Sequence, residues 1–381
     1  MNLPPLSLYV HVPWCVQKCP YCDFNSHGQK GEIPEAEYVQ HLIDDLKADL
    51  HLVQGRKIHS IFIGGGTPSL LTGAAYTRLL NEVDNLIGLE EHCEITLEAN
   101  PGTVETGRFK DYVKAGINRI SIGVQSMQND KLKALGRIHG SDEANYAAQQ
   151  AKEAGLNSFN LDLMHGLPGQ TLDDALSDLK QIIALDPPHI SWYQLTIEPN
   201  TQFASKPPTL PQDETLWDIQ EQGVELLAQA GYVQYEISGY AKPGYQCQHN
   251  LNYWRFGDYL GIGCGAHGKV TDANTGLITR TEKVKHPRGY MDLIKPYMYK
   301  SWHVEQDDLA FEFFMNRFRL VEPCPINDFN KLTTLPLQSQ QSQQSALNQA
   351  INKGLLTQTD SHWQVTLKGH RFLNDLLELF V

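Results

Sequence analysis

A chain of 381 residues is long enough for one large domain with an appendage or for two domains, and its 41% hydrophobic content fills an ordinary core. A formal charge of −13 without any basic stripe speaks against a nucleic-acid partner and against an anionic lipid surface. No apolar run approaches the ~18 residues of a membrane span and no charged-then-apolar leader opens the chain. Seven cysteines, an odd number with three of them in one motif, suit a reducing cytoplasm better than a disulfide framework.

The first predicted strand, 7–12, runs straight into Cys15, Cys19 and Cys22, spaced C-x3-C-x2-C. That spacing lets one loop wrap three thiolates around a single soft-metal centre. Four thiolates saturate a zinc ion or every iron of a [4Fe–4S] cube, whereas three leave one iron open to a small molecule. A zinc loop with a distant fourth ligand, or three packing cysteines, are the other readings.

Short apolar strands recur at 60–64, 94–98, 119–124, 158–164 and 190–196. Helix-period stretches separate them. The first carries Ile43, Leu46 and Leu50, and others lie near 107–115, 143–154, 173–184 and 214–230. Gly116, Gly155 and Gly231 stand where left-handed caps would end three of these helices. Alternation of this kind predicts an α/β fold with a parallel sheet, either a partial (β/α)6 barrel or an open doubly wound sheet. Gly64-Gly65-Gly66-Thr67-Pro68 follows the second strand, Glu98 ends the third, Gln125 follows the fourth and Asp162 lies near the end of the fifth. Strand C-termini and the loops after them share one mouth in such folds. Glu98, an acid at a buried strand end, needs a partner such as ribose hydroxyls or a ligand ammonium.

After Gly231 the pattern changes. A short strand over 232–238 is followed by loop-rich sequence through His249-Asn250-Leu251-Asn252-Tyr253-Trp254 and a glycine-rich stretch over 261–268. Helical patterns at 310–320 and 346–353, a β-like 363–367 and a terminal helical pattern from His370 suggest a small winged-helix-like module. Gln338–Gln344 reads as a solvated loop or linker. The implied organisation is a core barrel over 1–235, a connecting segment over 236–304 and a C-terminal module over 305–381.

The cysteine triplet, with Tyr21 just before its last member, resembles the radical S-adenosylmethionine (SAM) superfamily. The resemblance implies a [4Fe–4S] cluster on Cys15, Cys19 and Cys22, SAM on the open iron, and the partial barrel as the fold. Within that superfamily the spacings resemble oxygen-independent coproporphyrinogen oxidase. Tyr9, Gly65 and Glu98 match contacts of the cluster-bound SAM, and Tyr21, Gly66, Thr67, Gln125, Arg137 and Asp162 match contacts of a second one. The chain departs from the oxidase in having Phe24 where a fourth cysteine stands, and only a few residues before Tyr9. Both departures, with the HNxxYW signature of residues 249–254, point to the haem-chaperone relatives of the oxidase. That resemblance implies haem as a third ligand and transfer of haem to acceptor proteins, respiratory ones among the candidates, with a homodimer as the candidate oligomer. His249 could offer its imidazole to haem iron; Cys247, Cys264 and His267 are rivals, and a structural corner is the plainer role for His249. Cys93 and Cys324 read as packing residues.

Overall fold

The computed structural model describes residues 3–103, 107–292, 294, 296–337 and 340–381. Six parallel strands lie side by side: β1 (Leu6–Val12), β2 (Ile58–Gly65), β3 (Leu89–Ala99), β4 (Arg119–Gln125), β5 (Ser158–His165) and β6 (His189–Gln194). Their Ile, Leu and Val runs are buried on both faces, as a parallel sheet under helices requires. The principal intervening helices are α1 (Glu35–Asp49), α2 (Gly73–Leu86), α3 (Arg108–Lys114), α4 (Ser141–Glu153) and α5 (Leu172–Ala184), with α6 (Asp213–Gln229) after β6. Gly116, Gly155 and Gly231 have φ of +103°, +84° and +84°, so the left-handed residues that stop α3, α4 and α6 stand where the sequence places them.

The region after Gly231 is more regular than its sequence suggests. Of the expected strand over 232–238 only β7 (Val233–Gln234) forms, and β8 (Gly239–Ala241) begins just beyond it. The HNxxYW segment, expected as loop, forms helix α7 (Gln248–Trp254). Its first amides are capped from a distance: the N–H groups of Gln248 and His249 each donate to the Glu94 carboxylate at 3.1 Å. Beyond it, β9 (Asp258–Ile262) joins β1 in parallel, and β10 (His267–Thr271), β11 (Ile278–Lys283) and β12 (Met298–His303) follow antiparallel. The sheet therefore has twelve strands, in the order β12-β11-β10-β9-β1-β2-β3-β4-β5-β6-β8-β7. Charged residues hid these strands. Lys269 is buried against Asp258 at 3.2 Å, and Lys283 against Asp45 and Asp49 at 2.5 and 2.7 Å.

A second core is built around Phe313, Phe314, Phe329, Trp363 and Leu376. It joins α8 (Gln306–Arg317), α9 (Ile326–Thr333), α10 (Gln341–Asn352) and a small sheet of β13 (Cys324–Pro325), β14 (Leu356–Gln358) and β15 (His362–Val365). The glutamine-rich tract is corrected in part: residues 338 and 339 lie outside the described residues, and 341–344 open α10 instead of forming a loop. Burial of Ala346, Leu347 and Ala350 on one face of α10 overrides the polar composition of its first turn.

Candidate ligand site at the barrel mouth

β1 leads into Trp14–Cys15, which pairs with His27–Gly28 and closes the base of the cysteine loop. Within it the Cys22 amide donates to the Cys19 carbonyl at 3.1 Å, closing a tight turn. Burial raises the Cys15 thiol, opposed by hydrogen bonds from Thr67 and Ser26, and the nearby Cys22 and Cys19 thiols add to the rise. The Arg137 guanidinium donates to Cys19 Sγ at 3.6 Å. Among the described residues no three His, Cys, Asp or Glu converge closely enough to hold one metal ion. A four-iron cube takes each thiolate on a different iron, so three cysteines spread along one loop, beside a cation, fit it. The other four cysteines are buried, their thiols pushed up by burial to about 12 for Cys93, Cys247 and Cys264 and about 11 for Cys324.

The glycine run lies directly under this loop. Gly66 N–H donates to Val12 O and Thr67 N–H to Trp14 O, both at 2.7 Å. A Cβ on Gly66 would come within 2.5 Å of the Trp14 carbonyl, and one on Gly65, at φ +116°, within 2.6 Å of the His11 ring. These glycines are thus required first by the packing of β2 against the end of β1. Gly65 N–H also donates to Glu98 Oε2 at 3.2 Å. Burial, and secondarily the charge of Asp162, lift the Glu98 carboxyl to about 8 against that bond.

Asp162 accepts from Asn160 Nδ2 at 2.7 Å and from Ser121 Oγ at 3.0 Å. Gln125 has the left-handed φ of +68° and accepts from the Tyr193 hydroxyl at 2.9 Å. Arg137 donates to the Gly123 carbonyl at 2.7 Å, and Tyr21 packs on Phe203 with ring centres 6.3 Å apart. Tyr193 feels the charges of Asp162, Tyr21, Arg137 and Glu98, so it stands amid all four. Sequence reasoning missed it; its place at the end of β6 was the available signal. His11 and Asn25 were missed too. His11 hydrogen-bonds Tyr9 at 3.0 Å and the Asn25 carbonyl at 2.8 Å, while Asn25 Nδ2 donates to the Cys264 and Lys285 carbonyls.

Tyr9, Gly65, Glu98 and His249 line one cavity of about 210 Å³, together with Phe24, Phe62, Asn250 and Tyr253. His249 is buried between Phe62 and Tyr253, with ring centres 5.3 and 4.6 Å away. Its Nδ1 hydrogen-bonds Ser60 Oγ at 3.0 Å and its Nε2 has no protein partner. Burial lowers its pKa to about 3, so the ring is neutral. Of the rival residues, Cys247 and Cys264 are buried and His267 is exposed.

Glu98 gives the site a pH signature. Between the usual carboxylate value of 4.5 and about 8, the unfolded chain has lost this proton and the folded, ligand-free chain has kept it. Stability therefore falls as pH rises through that window. Denaturant titrations are expected to show Glu98→Gln gaining on wild type from pH 5 to 8; a constant difference would mean that Glu98 titrates normally.

Residues 9–182 match the model of the radical SAM superfamily, and residues 304–372 that of the HemN C-terminal domain. The chain is 61% identical over 381 residues to the heme chaperone HemW of Escherichia coli, covering 100% of this chain and 99% of that one. It is 60% identical to the heme chaperone HemW of Haemophilus influenzae, with 100% and 99% covered. Among solved structures, the radical SAM enzyme coproporphyrinogen III oxidase (HemN) of E. coli superposes with a TM-score of 0.84 at 22% identity, over 99% of this chain and 90% of that one. The fold is thus the partial (β/α)6 barrel of radical SAM proteins with a C-terminal extension, and the chain belongs to the HemW family within that superfamily.

Proposed function

We propose that this chain is a haem chaperone that carries a [4Fe–4S] cluster on Cys15, Cys19 and Cys22, binds SAM beside it, and passes haem to acceptor proteins. The observation that carries the reading is the 61% identity to a heme chaperone along the whole chain, HNxxYW helix and C-terminal module included. In this superfamily the bound cluster and SAM supply reductive cleavage of a sulfonium. Tyr9, Gly65 and Glu98 would hold the SAM at the cluster. Tyr21, Gly66, Thr67, Gln125, Arg137 and Asp162 would extend the site to a second ligand, with Arg137 in contact with Cys19 Sγ. A cytoplasmic setting accords with seven cysteines and with the lack, among the described residues, of a helix long and apolar enough to cross a membrane. Of the candidate haem ligands, His249 is buried and His267 is exposed.

The second reading is an oxygen-independent coproporphyrinogen oxidase, an enzyme of the same fold at 22% identity. Phe24 weighs against it. Haem titrated into the reconstituted chain should give a saturable absorption change with one stable complex. Spectra equal to free haem throughout would overturn the chaperone reading.

A further inference from the structure

A row of polar residues crosses the sheet where apolar side chains would serve the packing as well. Ser121, Asn160 and His189 stand opposite one another on β4, β5 and β6, and Asp162, two residues beyond Asn160, shares its face. Asn160 and His189 are buried, whereas Asp162 is half-buried. Buried polar side chains cost stability unless they are satisfied, and here the partners fix the direction of each bond. The Asn160 amide nitrogen donates to Asp162 and to Ser121 Oγ, both at 2.7 Å, which leaves its oxygen to face His189 Nδ1 at 2.6 Å. His189 Nδ1 therefore carries the proton, and Nε2 accepts from the Tyr235 hydroxyl at 2.8 Å. The Tyr235 oxygen in turn accepts from the amide of Cys247, the N-cap of α7, at 3.2 Å. Burial, and secondarily the Arg119 charge, keep the imidazole neutral. The bonds thus run in one direction, from the start of the HNxxYW helix to Asp162.

The two carboxyls of this region are provided for unequally. Glu98 receives one protein hydrogen bond, from Gly65, and burial lifts it to about 8. Burial raises Asp162 as well, but Asn160, Ser191 and Ser121 donate to it and the Arg119 charge favours its anion. The charged and titratable groups facing Asp162 are Arg119 on β4, Glu98 on β3 and Tyr193 on β6, the last a neutral phenol held well above its ordinary value by burial. A reversed Asn160 amide would set its oxygen against the Asp162 carboxylate, and the His189 N–H holds it from that turn. We propose that His189 is a positioning residue of the ligand site: through Asn160 it keeps Asp162 an ionised acceptor, so that Asp162, and not Glu98, is the anion offered to a cationic group of the ligand. That group is of the ammonium or sulfonium class, both of which SAM carries. The inference rests on the SAM site of the proposed function and adds to it a residue that acts from behind Asp162.

The test reads equilibrium binding of SAM from pH 5 to 9 on reconstituted full-length protein with intact cluster absorption. Wild type is compared with His189→Phe, His189→Gln, Tyr235→Phe, Asp162→Asn and the double variant of His189→Phe with Asp162→Asn. At pH 7 His189→Phe should bind about tenfold more weakly, the worth of one buried hydrogen bond. A carboxyl that loses a donor ionises at higher pH, so this deficit should shrink as pH rises. His189→Gln, which keeps a donor and an acceptor, should recover most of it. Tyr235→Phe removes one hydroxyl and no bulk; it should shift the pH profile in the same direction by less, and it decides the matter if His189→Phe does not fold. In the Asp162→Asn background His189→Phe should cost nothing further. A deficit equal at every pH, or carried undiminished into that background, would overturn the proposal in favour of a histidine that only holds the fold. Wild-type profiles in both His189→Phe and Tyr235→Phe would overturn it as well. Unaltered affinity in Asp162→Asn would overturn it by taking Asp162 out of the site, with SAM still bound. Wild type that binds haem and no SAM would overturn the SAM site itself, and would leave the haem chaperone standing.

Discussion

Alanine at Cys15, Cys19 and Cys22 together is expected to yield a folded chain that binds no iron on reconstitution. The cysteine loop lies outside the strands and helices that make the core: Cys19 and Cys22 are partly exposed, and the loop is closed by the backbone pairing of Trp14–Cys15 with His27–Gly28. Neither feature needs sulfur. The four cysteines elsewhere are buried, with thiols that resist ionisation, so none offers a replacement ligand. Iron content and the visible iron–sulfur absorption should both fall to background while the far-ultraviolet dichroism stays that of wild type. Retention of stoichiometric iron in the triple variant would place the cluster elsewhere.

Lys283→Met is expected to be the most destabilising single change outside the hydrophobic cores. Lys283 is buried with its ammonium 2.5 Å from Asp45 and 2.7 Å from Asp49, both on α1. Asp45 also accepts from the Tyr290 hydroxyl at 2.7 Å and the Gly263 amide at 3.0 Å. Removing the cation leaves two carboxylates facing each other without water, a loss of about 3–5 kcal/mol for a broken buried pair. The damage should reach the site. Gly263 precedes Cys264, whose carbonyl takes the Asn25 side chain, and Asn25 in turn holds His11 under the cysteine loop. Denaturant unfolding of the cluster-free protein measures the first effect, and slower cluster assembly reports the second. A stability within about 0.5 kcal/mol of wild type, the range of ordinary surface substitutions, would contradict this reading of the triad.

The six parallel strands were legible because a doubly covered strand must be apolar over most of its length, as Ile120, Ile122 and Val124 are in β4. Helix ends were legible through glycine, whose positive φ other residues avoid. Strands β10 and β11 were not, since Lys269, Arg280, Glu282 and Lys283 read as surface until their partners, as distant in sequence as Asp45, are known. Helix α7 escaped for the same reason: its cap is Glu94, more than 150 positions earlier. At the site, local motifs exposed the cysteines and the glycine run. The structure supplies what only the folded chain can: Tyr193 between Gln125 and Asp162, His11 wedged against Gly65, and Phe24 at the edge of a cavity shared with His249.

The claim that this chain carries haem rather than makes its precursor is tested most directly by one paired assay on a single reconstituted preparation containing cluster and SAM. Half is loaded with haem and mixed with a haem-free acceptor protein; half is given coproporphyrinogen and a reductant. The account predicts that haem moves to the acceptor and that no vinyl-bearing product forms above the rate of the cysteine triple variant. Conversion of coproporphyrinogen over many turnovers, with haem left unbound, would contradict it and establish the oxidase in its place.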